Sequence, residues 1–392
     1  MLNRFLGLHV PMPARDNTEA HRASTTLELF YDLVIVISIA VAVSHLHHAF
    51  VADHIAHGML TFLMVFWSIM WAWMSFTWFA SSYDSDDAPY RIAVFIQLIG
   101  SLIMAAGIGE VFEHNNFRVI AFGYIIMRLA LVALWIRVIK SNSQDKVGAI
   151  RHAIGIILCQ LGWIVLIFLV PSEYLLVGFW LLVLCEQLVP YYGGLRKQSV
   201  WHREHIIERY GLLTIIVLGE TLLASGHAIK ALNEHFSPLL MCTVIGGLLI
   251  TFSMWWFYFD EHEHKRLQYS NRGYMWSYGH ILVFISISTV GAGLEVMNDK
   301  IGGHAEVSLH VANAMVAVPT AIFMVSMWLL HDLFSKRSFE AKLLYPAAAM
   351  LVLTTPFFEY GTFAVGLLLL LTLAIRLKMD TASSPTEYVT NL

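Results

Sequence analysis

Apolar runs of about 20 residues recur along the whole of this 392-residue chain, and they leave few folds open. In hydrocarbon every backbone polar group needs a partner inside the protein, which permits helices and closed barrels only. The runs are about twice the length of a barrel strand, so the sequence predicts an all-α, polytopic helical membrane protein. Composition agrees, with 58% hydrophobic and 13% charged residues, where soluble proteins carry roughly a quarter charged. Twelve transmembrane helices are expected, over 27–46, 59–80, 92–111, 117–136, 150–170, 174–189, 206–225, 238–258, 274–296, 307–330, 343–356 and 358–377. The last two are short and almost continuous, and read equally as a re-entrant pair.

Nearly all of the 24 Lys and Arg residues fall in alternate loops and at the two ends of the chain, counting helix-end residues such as Arg209 and Arg376 with the loops. The positive-inside rule then places both termini in the cytoplasm. Residues 1–26 form a cytoplasmic N-terminal segment, and no cleavable signal peptide is expected there. A basic linker, 191–205, divides the spans into two sets of six, 27–190 and 206–378. The sets look like a repeat. Glu28, Phe30, Leu33 and Ile35 line up with Glu208, Tyr210, Leu213 and Ile215. Ser75-Phe76-Thr77-Trp78-Phe79 lines up with Ser253-Met254-Trp255-Trp256-Phe257, and Gly107-Ile108-Gly109-Glu110-Val111 resembles Gly291-Ala292-Gly293-Leu294-Glu295-Val296. Six spans per set make both copies face the same way, as two parallel six-helix repeats about an axis along the membrane normal. The tail, 379–392, is polar and is expected to be disordered.

Several ordered motifs carry a resemblance to a known family. They are Glu28-Leu29-Phe30-Tyr31-Asp32-Leu33-Val34, Trp71-Ala72-Trp73, Thr77-Trp78-Phe79, Asp86-Asp87-Ala88-Pro89-Tyr90-Arg91 and Met127-Arg128-Leu129. The stretch from Glu208-Arg209-Tyr210 to Leu218-Gly219-Glu220 follows, then Trp256-Phe257-Tyr258-Phe259-Asp260 and Tyr278-Gly279-His280. Along nearly its whole length the chain resembles the bacterial low temperature requirement protein A (LtrA) family. That family usually has a second Phe where Tyr31 stands and often a Phe at Tyr210. The resemblance implies an integral protein of the cytoplasmic (inner) membrane, linked by name to growth in the cold, and no particular substrate or reaction.

Ionisable side chains inside the apolar runs are the candidate chemistry, because charge in hydrocarbon is costly and marks function by default. Counting about 1.5 Å per residue from the ends of their spans, Arg128, Glu186 and Glu220 come to roughly 17, 18 and 21 Å deep, near the midplane. Arginine keeps its charge, so Arg128 is expected to pair with Glu186 or Glu220. The acid left without a cation could gain or lose a proton as water reaches it, as a proton-coupled carrier requires. A wholly structural ion-pair network is the alternative. His280 lies early in its span, could pair with a carboxylate, and joins Arg128, Glu186 and Glu220 in the expected solute and proton site between the halves. Glu28 and Asp32 are four apart and share one helix face. With Glu208 they form a candidate cytoplasmic gate or ion site. A second account keeps them as acids in first turns, favoured by the helix dipole, with Glu28 capping beside Thr25 and Thr26. Asp84, Asp86, Asp87 and Arg91 either latch onto the basic linker or form a solvated acidic loop.

Other polar residues are less pointed. His45, His47, His48, His54 and His57 crowd the first external loop, and Glu261-His262-Glu263-His264 a cytoplasmic one. Neither has metal-ligand spacing, so solvated loops are the default and no metal site is expected. Trp67, Trp71, Met74 and Trp78 form a helical stripe that suits packing better than a ligand cage. Gln97, Gln160 and Trp163 either line a polar cavity or bond neighbouring helices. Cys159, Cys185 and Cys242 read as packing residues. The chain has no Walker loop, H-E-x-x-H or nucleophile elbow. An ATP-driven pump, a soluble-type enzyme, a cofactor and a nucleic-acid partner are therefore not expected. The leading expectation is a secondary transporter in the lipid bilayer, coupled to protons, whose midplane arginine suits an anionic small solute. A membrane sensor or accessory protein, and a membrane-embedded enzyme acting on lipids, are the alternatives.

Overall fold

A computed structural model of the chain describes residues 11–15, 22–141, 145–194, 201–234, 236–260, 273–333, 335 and 337–383. Among them every regular element is helical. In chain order these are α1 Thr26–Val51, α2 Ile55–Ser82, α3 Ala88–His114, α4 Arg118–Ser141, α5 Lys146–Phe168 and α6 Leu175–Gly194. Then come α7 Arg203–Glu234, α8 Pro238–Phe259, α9 Gly273–Gly302, α10 Leu309–Met327, α11 Phe339–Val352 and α12 Gly361–Ser383. Of the described helices, 11 are long and apolar enough to cross a membrane, and the chain is a polytopic membrane protein. The exception is α11, whose 14 residues rise only about 21 Å. The final pair therefore consists of one short helix, interrupted by Pro346, and one full-length helix of 23 residues.

The helices overrun the apolar runs because capping residues beyond the hydrocarbon extend them. Asp87 accepts the Tyr90 N–H at the start of α3, with Pro89 in the first turn, and Asn115 closes that helix at φ 53°. Ser237, Ser308 and Ser338 cap α8, α10 and α11 in the same way. One consequence is that His45, His47 and His48 are the last turns of α1, not part of a loop. Another is that α12 runs through Ser383, so helix replaces the first residues of the expected disordered tail. The rest of that tail, the centre of the basic linker (195–200) and the Glu261–His264 motif lie outside the described residues.

The chain forms two compact units, Met1–His45 with Leu60–Leu213, and Leu46–Met59 with Thr214–Leu392. The division falls within α1, α2 and α7, beyond the linker where the sequence expects it. In the first unit α3 packs on α4, α4 on α5 and α5 on α6. A Cβ on Gly100 of α3 would stand 2.7 Å from the Gly123 carbonyl of α4, so backbone meets backbone there. In the second unit α9 packs on α10 and α8 on α12, where a Cβ on Gly246 would stand 2.7 Å from the Thr362 carbonyl. The outer faces of α5 and α6 expose Leu158, Leu161, Val177, Leu181 and Leu184, as lipid contact requires.

Candidate functional site

The first turn of α1 and the first two turns of α7 share one buried polar cluster in the first unit. Thr25 and Glu28 form a capping box: the Glu28 carboxylate accepts from the Thr25 N–H at 2.8 Å, and Thr25 Oγ1 accepts from the Glu28 N–H at 3.3 Å. The other Glu28 oxygen lies 3.0 Å from His205 Nε2 and 3.2 Å from Arg209 Nη1. One turn on, Arg209 grips Asp32 with a fork: Nε donates to Oδ2 at 3.0 Å and Nη2 to Oδ1. Trp73 Nε1 also donates to Asp32, at 2.7 Å. Glu28, Asp32, His205 and Arg209 are all buried. Arg22 lies 3.8 Å from Glu28 and donates to the last carbonyls of α2, Ala80 and Ser81.

Both sequence accounts of these acids bear on what is seen. Glu28 does cap α1, and the i, i+4 spacing does put Glu28 and Asp32 on one face, where a single arginine serves both. Glu208 does not join them. It accepts the Ser24 N–H at 3.2 Å. Asp84 binds Arg15 at 2.8 Å and Arg22 at 3.5 Å, Asp87 takes a fork from Arg137, and Asp86 pairs with Arg91 at the surface. The acidic loop is thus engaged by arginines of the N-terminal segment and of α4. At Asp84 burial and the nearby Glu28 push the carboxyl upward, and Arg22 and Arg15 oppose them.

Deeper in the same unit, Arg128 of α4 pairs with Glu186 of α6 at 2.9 Å. Glu186 is completely buried and accepts four donors. Arg128 Nη2 and Trp71 Nε1 share one oxygen, and Gln160 Nε2 and Trp163 Nε1, each at 3.0 Å, share the other. A carboxylate so surrounded is held in its charged form by hydrogen bonds as well as by the guanidinium. This uses the polar residues the sequence singled out on α2 and α5, and one Trp of the α2 stripe.

Glu220 and His280 belong to the second unit. Glu220 is half-buried on α7 and has no hydrogen-bond or ion-pair partner among the described residues. The neighbouring Gly219 and Gly226 have open space where a side chain would point. His280 is buried, with Nδ1 2.8 Å from the Trp276 carbonyl and Nε2 3.0 Å from the Tyr258 hydroxyl. Near the far end of α9, His47 meets Asp299 at 2.7 Å and His227 meets Glu295 at 2.6 Å. No group of three potential metal ligands exists among the described residues.

Sequence reasoning missed two buried arginines. It counts Arg209 and Arg376 among loop charges, and the structure buries both completely. Arg376 of α12 forks onto Asp332 at 2.9 and 2.6 Å, beneath the Tyr345 ring, where α10 ends in a π-helical turn, Trp328–Asp332. The available signal was an acid of opposite sign at a helix end elsewhere in the chain, Asp32 for Arg209 and Asp332 for Arg376. Such a signal has no fixed spacing.

Comparison with known proteins covers the same ground. A family model described as Bacterial low temperature requirement A protein (LtrA) matches residues 23–377. That range takes in all three buried ion-pair centres. A curated relative, the Uncharacterized protein RA0937 of Rhizobium meliloti (strain 1021), is 25% identical over 304 residues, which is 73% of this chain and 72% of its own.

Proposed function

The chain belongs to the bacterial low temperature requirement A (LtrA) family, and from that premise we propose that it is a secondary transporter, moving a small solute across the inner membrane with proton coupling. The observation that carries the reading is Glu220. It is a carboxyl in the middle of a membrane-spanning helix, half-buried, with no polar partner among the described residues and with space at both neighbouring glycines. A carboxyl in that setting exchanges a proton whenever water or solute reaches it. The Arg128–Glu186 pair supplies the fixed polar centre against which a solute is held, and His280 is locked in orientation beside Tyr258. We place six helices in each half as parallel repeats, with both termini cytoplasmic.

The test has two stages. Metabolite comparison of a deletion strain with its complemented parent, at low and normal temperature, supplies candidate solutes. Each is then offered to proteoliposomes under an imposed pH gradient. Glu220→Gln should fold normally and lose gradient-driven accumulation. Unchanged pH dependence in that variant would remove the proton role. A second reading, a non-transporting sensor or accessory subunit, draws on the well-satisfied partners of Asp32 and Glu186. A stoichiometric partner in purification, with no solute-dependent proton flux, would favour it. The lipid-enzyme alternative has less support, because Glu28 and Asp32 are buried and engaged by Arg209.

A further inference from the structure

Beside the Arg128–Glu186 pair the first unit holds a cavity of about 370 Å³, open mouth included. Its walls include Phe117, Phe179, Trp163 and Tyr124, with Ala121 and Ser68 between them. The rings pack edge to face, Trp163 and Phe179 at 5.0 Å, and leave a flat, apolar slot. The lining reaches Phe117, just before α4, and Leu175, which opens α6, so the slot begins at helix ends near the membrane surface. Tyr124 and Trp163 form its inner end, and both touch the ion pair: the Arg128 guanidinium lies 5.7 Å from the Tyr124 ring, and Trp163 donates to Glu186.

The polar atoms at that inner end are not all used. Arg128 Nε and Nη1, Trp67 Nε1 and Gln160 Oε1 are buried and have no hydrogen-bond partner among the described residues. The Tyr124 hydroxyl lies toward Glu186 yet makes no hydrogen bond either. Buried polar groups are nearly always satisfied, so each of these needs an explanation. Most of them are donors, which calls for an acceptor on the ligand. Charge sets the other requirement. Glu186 already neutralises Arg128 and its four donors leave it no spare role. A ligand of either sign would bring an uncompensated charge into this interior, which is costly.

From this geometry we infer that the cavity binds a small, net-neutral solute, with a flat apolar body against Phe117, Phe179 and Trp163 and a carbonyl or similar acceptor at Tyr124 and Arg128. The inference replaces the anionic solute that a lone midplane arginine would suit. It rests on the transporter reading only for the solute's onward fate, since binding is measured by itself.

The probe is a set of one-ring compounds differing in the head group alone: benzamide (neutral), benzoate (anion) and benzylamine (cation). Each is titrated by calorimetry into the purified full chain in lipid nanodiscs. Benzamide should bind saturably, and the charged pair about tenfold more weakly or worse. Tyr124→Phe, which removes one hydroxyl, should weaken benzamide about tenfold. Ala121→Leu, which fills the slot from its wall without touching the polar end, should abolish binding. Absence of saturable benzamide binding would mean that water alone satisfies these atoms, and would overturn the inference. So would equal binding of all three heads, or wild-type binding by Tyr124→Phe. Head-group ranking and Tyr124→Phe decide the matter even if Ala121→Leu does not fold. Glu220→Gln should bind benzamide as wild type does. Binding without flux would sink the transporter reading alone, and flux without binding here would sink this inference alone.

Discussion

Arg209 holds two carboxylates with one guanidinium, and the energetics of that arrangement are asymmetric. Removing the cation leaves Glu28 and Asp32 buried and uncompensated, which costs about 3–5 kcal/mol. Arg209→Gln should therefore lower yield and the thermal midpoint in size-exclusion assays after heating. The triple change Arg209→Met, Glu28→Gln and Asp32→Leu should recover most of that loss, because neutral groups of similar size need no counter-charge. If the single and triple variants were equally unstable, the ion pairing would not be the cause. The capping box is a smaller effect. Thr25→Ala should cost about 1 kcal/mol, read as a modest fall in the same midpoint. The capping box was legible from spacing, Thr25 to Glu28. The fork was not, because Arg209 and Asp32 are 177 positions apart.

Among the elements, the glycine crossings and α11 make the sharpest expectations. A side chain on Gly100 would press 2.6 Å from Met127 Cγ and 2.7 Å from the Gly123 carbonyl, so Gly100→Leu must force α3 and α4 apart. Overpacking of this kind costs roughly 1–3 kcal/mol or more. Gly219→Ala meets nothing within 4 Å, and should be neutral or stabilising by up to about 1 kcal/mol. Comparing the two midpoints separates close packing from mere helix propensity. Hydropathy alone could not make that distinction, since both glycines sit in apolar runs. For α11, the turn from Leu353 to Tyr360 adds to its own rise of about 21 Å, enough for the chain to reach the opposite surface. A cysteine replacing Glu359 should then react with a membrane-impermeant maleimide from outside intact cells, and one replacing Ser338 only after permeabilisation. Labelling of both from the same side would make α11 and α12 a re-entrant pair.

For the molecule as a whole, the cold-growth link carried by the family name can be set against the transport reading. Glu220→Gln should fail to complement a deletion strain at low temperature while accumulating in the membrane to wild-type level. Full complementation would separate growth from the coupling carboxyl. The sequence by itself determined the helical class, the membrane setting and the near count of spans. These follow from the demand that each apolar window of about 20 residues satisfy its own backbone in hydrocarbon, a local property readable from the window alone. It also flagged Arg128 and Glu186, since charge within such a window is conspicuous. Only the tertiary structure decided which charges meet. Arg209 and Arg376 look like helix-end residues until α1 and the end of α10 supply Asp32 and Asp332. A hydrogen-bond partner 44, 58 or 177 positions away is chosen by helix packing, and packing is a property of the assembled bundle.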